Sequence, residues 1–482
     1  MTISLREIDN FGNLAAEEDA VLDYFLATDS VSQVERSEKF LVLGRKGAGK
    51  TAIVRYFTEG ETGILSKALN LRAYPWNVHA LRVDRGASEI EAYVASWRYL
   101  LAVEVASFTV QHSGHQYHDE KKCLEDFLNE NYGGTRPRLS EILQPKKLKI
   151  GRFTFQPSIF GNQIGSINLE RGRKDLDFGL ELNALTQSIL KSTIRLFKDS
   201  HIGSIYIHFD DLDHGLQRID DQRSAMIIGL IIAARDMRRE FIGESVGIHP
   251  VIYLRTDIWD DLVFSDKNKI AQGLALLLEW DRDSLLDLVR ERIRVKLGDH
   301  ADWNDIIDDK QMRGSQPKWN HIVARTLRRP RDVIQFLNVA LKIAKKRSDN
   351  PLVFINTDIV ESRNDYSSYL KRELDDEILP HWPKWEEALQ ACSAIATEIF
   401  LREAFIREYS KKKSKGNPIE ADEALRILHR FSVIGYEKRS GYGGSSWTFL
   451  FEEPDAGWDS SANRFKVHPG LKEYAKLRES RT

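Results

Sequence analysis

Residues Gly44–Thr51 read GRKGAGKT and directly follow the apolar run Phe40–Leu43; no other stretch restricts the possible folds so much. A glycine-rich loop leaving a buried strand can turn its backbone N–H groups onto an anion, because Gly44, Gly47 and Gly49 have no Cβ to obstruct a tight turn. The G-x-x-x-x-G-K-[ST] spacing places Lys50 to reach the β- and γ-phosphates of a nucleoside triphosphate and the Thr51 hydroxyl to ligate Mg2+. Arg45, Lys46 and Ala48 complete the phosphate-binding segment. A helix over about Thr51–Phe57 adds the positive end of its dipole beneath the anion. The plain alternative, a glycine-rich turn with a solvated lysine, fits this strand-and-helix context less well.

At 482 residues the chain is too long for one compact core, so two or three domains are expected. The formal net charge of -2 gives no global attraction to nucleic acid or membrane, and any basic surface must be local. Cys123 and Cys392 form no C-x-x-C pair, which fits a reducing cytoplasm. The opening MTISLREIDNFGN has no charged-then-apolar signal pattern, and apolar runs such as Met226–Ala234 are too short to span a bilayer. The expectation is a soluble cytoplasmic protein without a membrane partner.

Periodicity predicts a helix over Ala15–Leu26, a strand at Asn77–Val83 and a helix from Ser88 to about Val110 with core aromatics Tyr93, Trp97, Tyr99 and Phe108. Residues 112–175 read as an insertion. Within it, Lys147–Gln156 and Gln163–Arg171 are predicted strands joined by Pro157–Asn162, forming a basic hairpin with Lys146, Lys149, Arg152, Arg173 and Lys174. Such an arm is either a charge-protected sheet edge or a contact for DNA phosphates. His112, His115 and His118 lack the companions of a metal site. Further on come a helix at Leu180–Phe197, strand Ser204–Phe209, helix Gln222–Phe241, and strands Pro250–Leu254 and Leu276–Trp280. Alternating strands and helices imply an α/β fold with a parallel, doubly wound sheet. From Arg282 the pattern is helical, with a charged helix ending near Ile378, until strands Ser432–Lys438, Ser446–Phe451 and Arg464–Val467; Lys411–Lys415 reads as a loop and Ala421–Phe431 as an amphipathic helix.

A carboxylate at the end of a buried strand neighbouring the first holds Mg2+ through water in proteins with such a loop. Asp210 ends the run IYIHF, Asp211 is placed to orient the attacking water, and Asp213 serves as a helix cap or support. The order GRKGAGKT, IHFDDLD, VIYLRTD resembles the AAA+ and STAND-type P-loop ATPases. That resemblance implies a P-loop NTPase parallel sheet (AAA+-like) over residues 1–280, an α-helical lid over 281–350 and a C-terminal helical and winged-helix domain over 351–482. It implies that Arg255 and Thr256 sense the γ-phosphate. LLLEWDRDSLLDLVRERI at Leu276–Ile293 resembles the lid entry of ORC-like initiators. RRPRDVIQFLNVAL at Arg328–Leu341 resembles the sensor 2 helix, with Arg331 as the nucleotide contact and Arg328 second.

The span from Lys50 to Asp210 exceeds the usual spacing of these ATPases, which the 112–175 insertion explains. No arginine finger can be placed, although Arg235, Arg238 and Arg239 lie on the helix before Arg255. There is no LSGGQ-like signature, and DKNK at 266–269 is not the guanine-reading N/T-K-x-D, so ATP with Mg2+ is the expected cofactor pair. The resemblance implies an ATP-hydrolysing conformational switch or motor subunit, a homo-oligomer and/or a protein effector partner, and a role in bacterial anti-phage defence. Two alternatives stand beside it: a DNA-binding initiator or loader ATPase, and a non-hydrolysing scaffold. In the wing region Lys438 and Arg439 favour DNA, whereas Glu452, Glu453, Asp455 and Asp459 oppose it and favour protein docking or internal packing. His468 before Pro469 is expected to be structural.

Overall fold

The computed structural model describes residues 4–72, 74, 76, 89–114, 118–143, 158–159, 162–163, 176–200, 202–212, 220–241, 247–439 and 444–479. Two compact units make up the chain. One comprises Ala27–Arg45 and Ile53–Leu278; the other comprises Met1–Leu26, Lys46–Ala52 and Glu279–Thr482.

In the first unit the strands are β1 (Leu41–Leu43), β2 (Leu65–Asn70), β3 (Ser158–Ile159), β4 (Asn162–Gln163), β5 (Ser204–Asp210), β6 (Gly247–Leu254) and β7 (Ala275–Leu277). Five of them form one sheet in the order β2-β5-β6-β1-β7, and every pairing in it is parallel. A parallel sheet covered by helices needs near-continuous apolar strands. Leu41, Val42, Ile205, Ile207, Phe209 and Ile252 meet that need and are buried. The helix Asp221–Glu240 packs against Glu89–His112 at Gly229, where a Cβ would lie 2.6 Å from that of Tyr93. Nearby, the Trp97 indole donates to the Met226 carbonyl at 2.9 Å. Tyr93, Trp97 and Tyr99 are core residues, as the periodicity indicates.

The expected strand Asn77–Val83 lies outside the described residues, as do most of the basic hairpin and its cations. Only the short β3–β4 antiparallel pair is described there, and it falls in the stretch read as the connecting loop. Among the described residues the sheet edge is β2, a strand that periodicity missed because only Leu69 of its six residues is buried. Polar, charged edge strands are common because they resist pairing with other chains. Within the 112–175 segment the structure also adds an amphipathic helix, Asp119–Tyr132, burying Leu124, Phe127 and Leu128.

In the second unit the stretch expected as a helix at Ala15–Leu26 is two 3-10 turns, Ala16–Glu18 and Val21–Tyr24. The break has a cause in Asp19, which turns inward. Its carboxylate accepts from the Asn13 amide at 2.9 Å, from the Tyr24 hydroxyl and from Arg292 at 3.2 Å. Such side-chain bonds compete with helix geometry.

The helix Arg282–Leu297 starts at a capping box in which the Asp281 carboxylate accepts from the Ser284 amide at 2.7 Å. Helices Pro330–Arg347 and Asn356–Ile378 follow, packed through Val333, Phe336, Leu337, Tyr366 and Leu370. The chain closes with helix Glu386–Ile395, β8 (Ile399–Leu401), helices Arg402–Lys412 and Ala421–Arg430, then β9 (Ile434–Arg439), β10 (Ser445–Thr448) and β11 (Arg464–Val467). The strands pair antiparallel in the order β10-β9-β11-β8. A helix, a strand, two helices and three further strands thus follow one another in this segment. Three-residue β8 carries too little pattern to be read in advance, and Lys411 and Lys412, read as loop, complete a helix whose C-terminal dipole they complement. Among the described residues no helix is long and apolar enough to cross a membrane.

Burial gives the sheet unit a pH dependence. His208, at the centre of β5, stacks on Phe57 and bonds the Tyr253 hydroxyl at 3.0 Å. Burial pushes its imidazole down to about 3, and burial followed by the Arg238 charge pushes His249 down to about 4. Between about pH 6.5 and pH 4 the unfolded chain therefore takes up protons that the folded chain refuses, and stability falls with pH through that window. Above about pH 6.5 these groups are neutral in both states and contribute no slope. Urea midpoints are expected to stay level from about pH 8 to 6.5 and then decline, less steeply in His208→Phe; an equal slope in both proteins would remove His208 as a cause.

Candidate nucleotide-binding site

In open parallel sheets ligands bind beyond the carboxyl ends of the strands. Leu43 pairs with Leu254, the Gly44 amide donates to the Leu254 carbonyl at 3.2 Å, and Phe209 pairs with Ile252. Gly44, Asp210 and Arg255 therefore share one sheet edge. β6 lies between β1 and β5, so the strand bearing Asp210 is the second neighbour of the loop strand rather than its immediate one. Asp210 is nine-tenths buried, and its charge, after burial, helps hold the Tyr253 phenol well above its ordinary range.

Asp211 adopts φ +58, the left-handed region that lets the chain turn sharply off the strand. Its carboxylate accepts from the Asn70 amide at 2.8 Å and lies 3.6 Å from Arg72. Both partners extend from β2, so the reading that missed this strand missed them too. Arg255 forks onto Asp257 at 2.9 and 2.6 Å, and Thr256 opens the short helix Thr256–Asp261. Arg255 thus has a resident counter-ion that the motif gave no hint of.

Lys46–Ala52 belong to the other unit, and there the loop meets the RRPR segment. Three successive loop carbonyls are taken by donors from this unit. Arg329 Nη1 donates to the Lys46 carbonyl at 2.9 Å, the Arg331 amide to Gly47 at 3.4 Å, and the Trp280 indole to Ala48 at 2.9 Å. Bonding through successive carbonyls fixes the peptide planes of this segment. Gly47 and Gly49 have φ of +81 and +102, and a Cβ on Gly47 would lie 2.9 Å from that of Arg331. The cradle therefore requires glycine at Gly47 for both conformation and space. Lys50 and Thr51 begin the helix Lys50–Glu59. The Thr51 hydroxyl and the Asp210 carboxylate are oxygen donors of the kind Mg2+ takes.

The RRPR arginines have three different fates. Arg329, which sequence reasoning passed over, is the buried one. It forks onto Asp332 at 2.9 and 3.0 Å and also bonds Glu377, and these carboxylates hold its guanidinium firmly charged against burial. Arg331 donates from Nε to the Leu14 carbonyl at 3.0 Å and lies 3.4 Å from Glu373. Arg328, the second candidate, turns away at φ +50 to pair with Glu452 at 2.5 Å and lie over Phe451. The loop residue Lys46 pairs with Asp376 and lies 3.6 Å from Glu373.

The candidate finger arginines are mostly engaged within the sheet unit. Arg235 pairs with Asp266 at 2.5 Å, Arg238 donates to the Ser37 carbonyl, and Arg239 is exposed. Asp213 and His115 lie outside the described residues, among which no group of histidine, cysteine or acidic residues is arranged to hold a metal ion. His468 accepts from the Gly470 amide at 3.1 Å, a local structural bond.

The FunZ-associated C-terminal helical domain family matches residues 283–375, a span that includes Arg329, Arg331 and Glu373. No curated protein matches the sequence. Among solved structures, the Aeropyrum pernix ORC1 protein in complex with DNA is 13% identical, with a TM-score of 0.33 over 92% of this chain and 91% of that one. CDC6p from Pyrobaculum aerophilum is 10% identical, with a TM-score of 0.31 over 93% and 92%. At such identities and TM-scores the likeness says nothing of chemistry or partners.

Removing one partner of a buried, hydrogen-bonded ion pair costs about 3–5 kcal/mol, whereas a half-exposed pair contributes about 1 kcal/mol or less. Arg329→Ala is therefore expected to lower the thermal midpoint far more than Arg331→Ala. Equal shifts in a thermal melt would mean that Arg329 does not anchor the segment.

Proposed function

We propose that the chain is a Mg2+-dependent, ATP-binding and ATP-hydrolysing switch of AAA+-like type. The observation that carries this reading is the loop itself: GRKGAGKT follows a central parallel strand, and its successive carbonyls are bound by Arg329, Arg331 and Trp280. In this reading Lys50 neutralises the β- and γ-phosphates, while Thr51 and Asp210 hold Mg2+, which supplies charge neutralisation when bound. Asp211, steadied by Asn70, orients the attacking water. Arg255 and Thr256 at the sheet edge, and Arg331 in the helical unit, respond to the γ-phosphate. A phosphate to which such side chains respond converts its own presence into a preference between conformations.

The winged-helix segment supports a protein partner or a second copy of the chain over a DNA duplex. Its helix Ala421–Arg430 exposes Asp422, its Arg426 is forked by Glu423 at 2.7 and 2.6 Å, and Lys438 lies 3.7 Å from Glu453. Cations already neutralised release few counterions on a phosphate backbone. The initiator or loader alternative predicts salt-sensitive DNA binding at modest ionic strength. A role in anti-phage defence rests on the motif resemblance alone.

Single-turnover hydrolysis of ATP with Mg2+ is the test. Wild-type protein is expected to form ADP. Lys50→Ala is expected to lose ATP binding, and Asp211→Asn to bind ATP normally while hydrolysing it on the order of 100-fold more slowly, the usual scale for a positioned acid–base group. If wild-type protein binds ATP and yields no product, the chain is a nucleotide-dependent scaffold instead.

A further inference from the structure

Glu373 is acidic, yet it faces the cations that the proposed site would use. It lies on the helix Asn356–Ile378, and one of its oxygens, Oε2, lies 3.4 Å from Arg331 Nη1 and 3.6 Å from Lys46 Nζ. Both separations exceed the roughly 2.7–2.9 Å of a strong charge-assisted hydrogen bond. Glu373 is mostly buried, with its side chain 15% exposed, so its charge is only partly screened by water. Arg329 next door is different in kind. Its fork onto Asp332 is short and fully buried, and it cannot leave without stranding that carboxylate. Arg331 and Lys46 keep side-chain exposures of 24% and 26%, and their links to Glu373 are loose. The Arg331 backbone is already bonded to Gly47, so its guanidinium follows an anion placed on the loop by side-chain rotation, giving up its Nε bond to the Leu14 carbonyl.

We infer that Glu373 is an internal competitor for the phosphate, a carboxylate that occupies Arg331 and Lys46 until a polyphosphate displaces it, and so sets the nucleotide affinity of the site. The inference rests on the reading of the loop as an ATP site. Displacement separates Glu373 from its two cations, and part of the binding free energy goes to breaking those pairs. Affinity in the wild-type protein is therefore held below what the loop alone would give. ADP suffers less than ATP, because it lacks the γ-phosphate that draws Arg331 away from the carboxylate.

Equilibrium binding of ATP·Mg2+ and ADP·Mg2+ by calorimetry tests this on the full chain. Glu373→Gln keeps the shape and removes the charge. It is expected to tighten ATP about three- to tenfold and ADP by a smaller factor, widening the preference between them. Removing any nearby negative charge would also favour an anion, so two controls decide the cause. Asp376→Asn removes a carboxylate that pairs with Lys46 but not with Arg331, and it is expected to give less than half the gain. In an Arg331→Ala background the gain from Glu373→Gln is expected to shrink to about twofold or less, the signature of coupled residues in a double-mutant cycle. An unchanged affinity in Glu373→Gln, or the same gain with Arg331 absent, overturns the inference while leaving the ATP site standing. Failure of the wild-type protein to bind either nucleotide overturns both.

Discussion

A buried guanidinium holds the glycine-rich loop to the helical residues of its unit. Arg329 Nη1 donates both to the carbonyl of Lys46 and to Glu377, while Nε and Nη2 fork onto Asp332. Taking that charge out of water is costly, and the two carboxylates offset the cost only in this geometry. Its energetic value is therefore a matter of position more than of strength. A glycine-rich loop has little conformational preference of its own. With Lys46, Gly47 and Ala48 each bound through the carbonyl, the loop acquires one from the helical residues around it.

The same segment shows how two arginines two positions apart are given different work. Pro330 starts a helix, and its missing N–H costs nothing at that position. Arg329 lies just before the helix and points into the core, while Arg331 lies one step inside and points to the loop side. One is fixed by forked, fully buried bonds; the other has a carbonyl of the N-terminal strap and a distant carboxylate. The strap earns its position through Asp19 and Arg292, the pair that also prevents it from being a helix.

Much of the sheet was legible because buried parallel strands are near-continuous apolar runs, and Leu41–Leu43, Ser204–Asp210 and Gly247–Leu254 are of that kind apart from His208 and His249. The edge strand Leu65–Asn70 was not, since an edge alternates polar and apolar weakly, and Asn70 and Arg72 went unseen with it. Motif spacing gave the loop residues and Asp210 as candidates, and the family resemblance gave Arg331. It could not give Arg329 its place, because which of three arginines in RRPR turns inward depends on carboxylates at Asp332 and Glu377, the second of them far along the chain. The paired state of Arg255 with Asp257 was equally hidden: a sequence shows charges, but only a fold shows which are already spent.

The consumed carbonyls of Lys46, Gly47 and Ala48 have one more consequence. A peptide unit fixed by its oxygen presents its N–H at a set angle, and several in succession make a curved surface of positive partial charge. Such a surface measures the charge and curvature of what touches it and is blind to anything beyond arm's length. Under the proposed reading, Gly44–Thr51 would greet inorganic tripolyphosphate much as it would the same three phosphates carried on a nucleoside. Any choice among bases in this chain is a matter for residues outside the loop.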